Sequence, residues 1–321
     1  MSATLAAFQV VLQHVILPLL FIFWMTAGRY AALFKPRLRL IAYILYTDFA
    51  AFFLFILVCG AWGIVGYWLR PLLAVAFALA SVDYFRRIDA VPREKARITT
   101  LLSGGFYALM ALVFGGFGLL GLAGRIAPAE TIDLAFPLND GIYVVGQGGA
   151  SVAVNYHNAH PAQAYALDIL KLNSAGFRAA GVFPKEPDRY AIFGDMATSP
   201  CAGRIAWARD GLDDARGMQN DRESPAGNAV AVECGGVTVY LAHLMKGSLA
   251  VAAGDMVRVG DPIGRVGNSG NTTEPHLHIH AQRGPFQGEF STAPAVAIRF
   301  DGRFLARGDL VFARAAAEAE E

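Results

Sequence analysis

Apolar residues follow two different rhythms along this chain. In the first third they form long blocks, at 8–27, 40–60, about 62–84 and 100–123. Each block approaches the ~20 residues an α-helix needs to cross a bilayer. Beyond residue 124 the apolar positions fall in short runs separated by Gly, Pro, Asp and Asn. Gly203-Arg-Ile-Ala-Trp-Ala208, Asn228-Ala-Val-Ala-Val-Glu233 and Asp261-Pro-Ile-Gly-Arg-Val-Gly267 are examples. Short β-branched and aromatic runs between turn residues read as strands. The pattern predicts an N-terminal α-helical transmembrane bundle of about four helices over 1–123 and a linker over 124–139. An all-β domain over 140–311 and an Ala/Glu-rich tail over 312–321 follow.

The first block lacks the basic n-region of a signal peptide and is followed by further blocks rather than a cleavage site. The third is interrupted by Arg70-Pro71. Hydrophobic residues make up 55% of the chain and its mean hydropathy is +0.41, high for a soluble protein of this length. Charge then orients the blocks. Segment 28–39 carries Arg29, Lys35, Arg37 and Arg39 with no acid, and segment 85–99 carries five basic residues against Asp89 and Glu94. Four spans put both segments on one side, which the positive-inside rule makes cytoplasmic. The β domain is then expected on the outer side of the cytoplasmic membrane, with the lipid bilayer as a partner of the first third. Residues 1–123 hold ten Lys/Arg and four Asp/Glu, a balance of +6; 124–321 hold seventeen and twenty-two, a balance of −5. An acidic outer domain without a basic patch excludes a nucleic-acid binder.

Chemistry concentrates in Gly267-Asn-Ser-Gly-Asn-Thr-Thr-Glu-Pro-His-Leu-His-Ile-His280. His276, His278 and His280 alternate with Leu277 and Ile279, so on a strand the three imidazoles share one face. Two such imidazoles beside a flexible loop suit a zinc site, one as ligand and one as adjacent catalytic group. Gly236-Val-Thr-Val-Tyr-Leu-Ala-His-Leu244 is a strand-like run that delivers His243 near its end. Asp168 is a carboxylate in an otherwise apolar run, costly unless paired or bound to a metal. His157 and His160 lie eleven and eight residues before it.

This ordered set resembles the M23 peptidase family, the lysostaphin/LytM-type zinc metallopeptidases, over about residues 140 to 300. The matching pieces are Ala164-Tyr-Ala-Leu-Asp168, Ser199-Pro-Cys-Ala-Gly-Arg-Ile205, Tyr240-Leu-Ala-His-Leu244, Gly254-Asp-Met-Val-Arg-Val-Gly-Asp-Pro-Ile-Gly264 and Pro275-His-Leu-His278. The resemblance implies an antiparallel sheet folded as a sandwich, Zn2+ as cofactor and peptidoglycan peptides as substrate. It implies Asp168 and His278 as zinc ligands, and His243 and His276 as catalytic imidazoles that do not bind the metal. The first ligand departs from the family's usual close spacing. His157 is favoured because it follows the strand-like run Ser151-Val-Ala-Val-Asn-Tyr156, and His160 before Pro161 is the alternative. His280 stands where the family more often has an acid and is read as lining the site. Spacing does not say which imidazole is the base.

Five other features carry expectations. Asp48 sits within the second block, with Arg70 as proposed partner or with local hydrogen bonds instead. His14 is read as a packing or interhelical hydrogen-bonding residue, and Gly104-Gly105 and Gly115-Gly116-x-Gly118 as close-packing positions. Cys201 and Cys234 are taken as free thiols, with a disulfide as the alternative that an oxidising compartment permits. Segments 172–192 and 209–227 are expected to rim the substrate groove. Other readings of the whole are a non-catalytic module that binds cell wall or regulates a wall hydrolase, a peptidase acting on an extracytoplasmic protein, and a membrane sensor or transporter subunit. No protein partner is indicated.

Overall fold

The computed structural model describes residues 3–27, 39–88, 98–217, 221–289 and 291–314. They form two compact units, Met1–Leu122 and Ala123–Glu321.

The first unit is helical. Helix α1 (Ala3–Val11) passes through a π-helical turn, Leu12–Ile16, into α2 (Leu17–Ala27). Pro18 accounts for the turn: it has no N–H for a carbonyl four residues back, and its ring would strike that carbonyl in a regular helix. His14 lies in the turn, its Nδ1 donating to the Val10 carbonyl at 3.0 Å while Nε2 accepts from the Ala61 N–H at 3.1 Å. Helix α3 (Arg39–Cys59) is followed by a single turn, α4 (Trp62–Val65), and by α5 (Leu69–Ile88) and α6 (Ile98–Ala123). The third block is therefore two helices rather than one. Gly66, at φ +99°, ends α4, and Pro71 sits in the first turn of α5, where a missing N–H costs nothing.

Three of these stretches are long and apolar enough to cross a membrane: Thr4–Ala27, Arg39–Cys59 and Leu101–Ala123. Helix α5 is not among them, because Arg70, Asp83, Arg86 and Arg87 occupy its two ends and leave only 71–82 uncharged. Arg87 pairs with Asp83 at 2.7 Å, one turn away. Arg70 donates to the Tyr67 hydroxyl at 3.3 Å, and the buried Asp48 forms no ion pair with it. In α6, Gly104 and Gly118 face Ile41 and Leu54 of α3 so closely that a methyl group would clash, while Gly105 and Gly116 face open space. The basic residues of 28–38 and 89–97 lie outside the described residues.

The second unit is built on one large sheet. Its main path runs β13 (Leu310–Ala313), β2 (Gly141–Gln147), β3 (Leu167–Leu172), β10 (Leu277–Arg283), β7 (Val237–Leu244), β6 (Asn228–Cys234), β5 (Gly203–Arg209) and β8 (Met256–Val257), each pair antiparallel. β11 (Ala295–Phe300) joins the end of β10 and carries β12 (Arg303–Phe304) and, in the sheet's one parallel pairing, β1 (Thr131–Leu134). A separate hairpin-like pair joins β4 (Met196–Thr198) to β9 (Pro262–Arg265). β1 lies inside the stretch expected as linker, and 315–321 of the expected tail lie outside the described residues. One face of the sheet makes the core, where Leu167, Ile169, Val230, Val232, Val239, Leu241, Leu277 and Ile279 are fully buried. The opposite face of β3, β10 and β7 carries the polar residues.

Cys201 and Cys234 are disulfide-bonded, with Cα atoms 6.1 Å apart across a separation of 33 residues, so the expectation of free thiols is corrected. β5 and β6 are neighbouring strands, and their pairing brings the two cysteines together, a long-range closure that local sequence does not display. A loop of that length restrains the unfolded chain by roughly 4 kcal/mol on the chain-entropy estimate. The variant Cys201→Ala/Cys234→Ala should therefore melt several degrees below the parent in non-reducing thermal scans, and a reductant should shift the parent but not the variant.

Candidate functional site

Cross-strand register places the polar groups. His278 lies directly opposite Asp168 on β3 and Ala242 on β7, and His280 lies opposite Tyr240. Opposed residues of an antiparallel pair share a face, so Asp168, His278, His280 and Tyr240 project from the same side. His243 would point into the core by simple alternation after Leu241. It has a left-handed backbone instead, at φ +62°, where the β6–β7 register shifts between Asn228 and Val230. This break in the strand turns its imidazole towards His276, with ring centroids 4.7 Å apart. A non-glycine residue in that conformation is strained, and such strain concentrates at functional sites.

His157 arrives differently from the strand end that its sequence context suggests. Residues 151–154 form a turn and Tyr156–Ala159 a 3-10 helix. Asn155, fully buried, organises both: its side-chain oxygen accepts from the His157 N–H at 3.1 Å, and its amide donates to the Gly149 and Ala166 carbonyls at 3.0 Å each. An asparagine cap competes with strand pairing for backbone groups, and here it wins. His160 ends the same turn, exposed and outside the cluster.

The buried groups converge. His157 Nε2 lies 3.0 Å from Asp168 Oδ1, and His278 Nδ1 lies 2.9 Å from the same oxygen. His276 Nε2 approaches it to 3.5 Å without making a hydrogen bond. Tyr156, its ring tilted 36° against that of His157 with centroids 4.1 Å apart, brings its hydroxyl to 3.4 Å from Asp168 Oδ2. Two overlapping groups could hold a metal ion, His157–Asp168–His278 and His243–His276–His278. Two imidazoles and one carboxylate, all buried with donor atoms gathered at one point, fit zinc. His243 and His276 have a different arrangement: each has Nδ1 against a backbone carbonyl, Ser269 at 2.8 Å and Glu274 at 2.7 Å. Each Nδ1 donates, which leaves each Nε2 as the free nitrogen.

Electrostatics follow burial and the single carboxylate. Burial opposes ionisation of Asp168, but the charges of His276 and His157 and the hydrogen bond to His157 outweigh it and hold the carboxyl well below the usual range. Burial is the largest influence on His276 and lowers its affinity for a proton, yet its interactions with Asp168 together with the carbonyl and charge of Glu274 outweigh it and raise that imidazole above its usual value. His243 is driven well below its usual value by burial and by repulsion from His276 and His278. His278 is also lowered, chiefly by burial.

The long loops support the site from behind. Arg178, 1% exposed, pairs with Glu274 through Nε at 3.0 Å and Nη2 at 2.5 Å, and its guanidinium lies over the Phe183 and Tyr190 rings. Glu274 is also the residue whose carbonyl holds His276, so loop 172–192 reaches a catalytic candidate through one ion pair. In loop 209–227, Asp214 accepts from the backbone N–H of Asn268 at 2.6 Å and of Lys246 at 3.1 Å. Gly267 is required where it stands, because a Cβ there would lie 2.4 Å from the Asp214 carboxylate. Sequence reasoning assigned no part to Asn155, Tyr156, Arg178, Glu274 or Ser269. A buried Asn beside a His was the one local signal available; the others act through contacts distant in sequence.

Residues 194–289 match the model of Peptidase family M23. The match contains His243, His276 and His278 and begins after His157 and Asp168, which the fold brings to it. The second unit is therefore an antiparallel sheet domain of the M23 peptidase type. Similar solved structures include a zinc-containing peptidase from Vibrio cholerae, 19% identical, covering 48% of this chain and 37% of that one at a TM-score of 0.29. A putative M23 peptidase from Pseudomonas aeruginosa is 17% identical over 54% and 52% of the two chains, at 0.30. Lysostaphin from Staphylococcus simulans is 16% identical over 52% and 50%, at 0.28. This chain thus spans about half or less of the length of those structures, and the likeness of the sheet domain to the M23 peptidases rests on the sequence match.

Two substitutions test the supports. If His157 ligates zinc, Asn155→Ala should weaken the binding by about 10–100-fold, the usual cost of freeing a ligand from the groups that orient it, read by chelator competition. Arg178→Met strands the Glu274 carboxylate and should cost about 3–5 kcal/mol of stability in denaturant titration; the Arg178→Met/Glu274→Gln pair should recover part of it.

Proposed function

We propose that this protein is a membrane-anchored zinc metalloendopeptidase that cleaves peptide stems or cross-links of peptidoglycan outside the cytoplasmic membrane. The observation that carries the reading is the buried cluster of His157, Asp168 and His278 beside two imidazoles with free Nε2 atoms. His157, Asp168 and His278 hold the metal. When bound, zinc supplies Lewis acidity and a water acidified towards neutral pH. Of His243 and His276, one takes the proton of the attacking water at Nε2 and the other donates a hydrogen bond to the developing oxyanion. The backbone carbonyls of Ser269 and Glu274 hold a proton on Nδ1 of both rings, so the base uses the lone pair of its Nε2 and the donor carries a second proton there as an imidazolium. Tyr156, half-exposed above Asp168 and His157, is placed to meet substrate.

Anchoring is supported by the three long apolar helices and by the rows of exposed Leu, Val and Phe side chains on them, a surface that water penalises and lipid accommodates. The basic segments on either side of α3 and α5 support an outward-facing sheet domain, and so does the disulfide, since such bonds persist in oxidising compartments. In this reading α5 completes the bundle with its charged ends at the two membrane surfaces.

The test uses the full-length protein in detergent, loaded with zinc and incubated with isolated peptidoglycan, with muropeptides read by mass spectrometry. New free peptide ends should appear and vanish in His278→Ala. A folded, zinc-bound protein that leaves peptidoglycan intact would shift the substrate to an extracytoplasmic protein, and a folded protein that binds no zinc would leave a binding module.

A further inference from the structure

His278 has two ring nitrogens and only one of them faces Asp168. The other, Nε2, points along β10 and lies 3.0 Å from His280 Nδ1. His280 is buried and lies flat on the Tyr240 ring, with centroids 4.5 Å apart and planes 5° from parallel. Its Nε2 is 3.3 Å from Nε2 of the buried Gln282, whose Oε1 accepts from the Tyr240 hydroxyl at 3.4 Å. That hydroxyl reaches the Gly288 carbonyl at 3.3 Å. His278, His280 and Gln282 are alternate residues of one strand, and Tyr240 stands opposite His280 on the next.

We infer that His280 is a positioning residue for the metal site: clamped by Tyr240 and Gln282, it accepts the Nε2 proton of His278 and so fixes the tautomer and ring plane in which His278 Nδ1 meets the cation. The inference rests on the zinc site proposed above, and the argument for it is a proton count. A ring nitrogen that binds a cation must offer its lone pair, so the proton of neutral His278 belongs on Nε2. A buried N–H needs an acceptor. Among the described residues the group at hydrogen-bond distance from that nitrogen is His280 Nδ1. Accepting there places the proton of His280 on its own Nε2, which calls for an acceptor where Gln282 Nε2 stands at 3.3 Å. A half-turn of the Gln282 amide, at the expense of its 3.4 Å contact with the Ala162 carbonyl, brings Oε1 to that place and Nε2 to the Tyr240 oxygen. The Tyr240 proton then goes to the Gly288 carbonyl, and the chain ends on the backbone.

The usual orienting partners of a metal-binding imidazole are carboxylates, backbone carbonyls and water. A neutral imidazole differs from a carboxylate in one respect that matters here. It orients the ligand without adding a second negative charge beside Asp168, so the site keeps one net positive charge when zinc is bound. Stacking on Tyr240 replaces the restraint that a charged hydrogen bond would supply.

Ring and acceptor can be separated by substitution. His280→Phe keeps a flat ring on Tyr240 and removes the acceptor, whereas His280→Asn keeps an oxygen near the position of Nδ1 and removes the ring. Full-length wild type and variants in detergent would be titrated with zinc against a chromophoric chelator. Melting temperatures and the visible absorption of the cobalt(II)-substituted proteins would be recorded alongside. The expected result is a loss of zinc affinity of about 10–100-fold in His280→Phe, with an altered cobalt spectrum and little change in melting. His280→Asn should stay near wild type in both metal readouts. Wild-type affinity and spectrum in His280→Phe would overturn the inference. So would a loss of affinity that follows the melting temperature in both variants, since that is the mark of packing alone. If His280→Phe does not fold, Gln282→Leu leaves His280 in place but removes its acceptor; a severalfold loss of zinc affinity supports the relay and unchanged affinity overturns it. A wild type that binds no zinc would defeat the metal site itself and this inference with it, a result separate from all of the others.

Discussion

The second unit is organised around one buried carboxylate. Asp168 sits in the middle of the sheet, flanked by apolar residues, where an unpaired charge would be expensive. Its oxygens are approached by His157, His276, His278 and Tyr156, contributed by a capped turn and by the strand paired directly to its own. That concentration of acceptors and donors about one acid governs the local chemistry. It draws His276 towards its protonated form and leaves His243, farther off and deeper in repulsion, as the imidazole that resists protonation. A divalent cation at the same point would take over the compensating role that the imidazoles play around Asp168.

The supports of this centre divide into two kinds. Strand register does most of the positioning, because β3, β10 and β7 put Asp168, His278 and Tyr240 on one face without further help. The residues that a regular strand cannot place are held by polar side chains on backbone: Asn155 under His157, the Ser269 carbonyl under His243, and the Glu274 carbonyl under His276. These are short, directional contacts, and the last two lie in a segment held in turn by Asp214 and Arg178.

Much of this was legible in the sequence, and the reasons for success and failure are physical. Alternation of His276, His278 and His280 with Leu277 and Ile279 is a local signal, and the shared face it implies follows from strand geometry alone. Asp168 stood out because a carboxylate in an apolar run demands an explanation. The turn at 151–156 was misread as strand because Val152 and Val154 have strand propensity, whereas Asn155 acts through carbonyls at Gly149 and Ala166 that no propensity scale includes. The disulfide and β1 were missed for a related reason, since both are defined by partners far along the chain, Cys234 for Cys201 and β11 for β1. In the helical unit the sequence shows an interruption of the block at 62–84 at Arg70-Pro71, whereas the break between helices falls earlier, at a glycine with positive φ that hydropathy does not register.

Asp168 and His278 are 110 residues apart in the chain and yet face each other across adjacent strands. Contacts of such long range are entropically the slowest to form, because the intervening chain must be closed before they yield any stabilisation. The centre of the sheet is thus assembled late, and its polar face has no partial version: a chain lacking the β3–β10 pairing has scattered histidines and no common point between them. Capture of a metal by this domain would consequently report that folding of the sheet is complete, and an unfinished chain would have no gathered cluster of histidines and carboxylate to offer one.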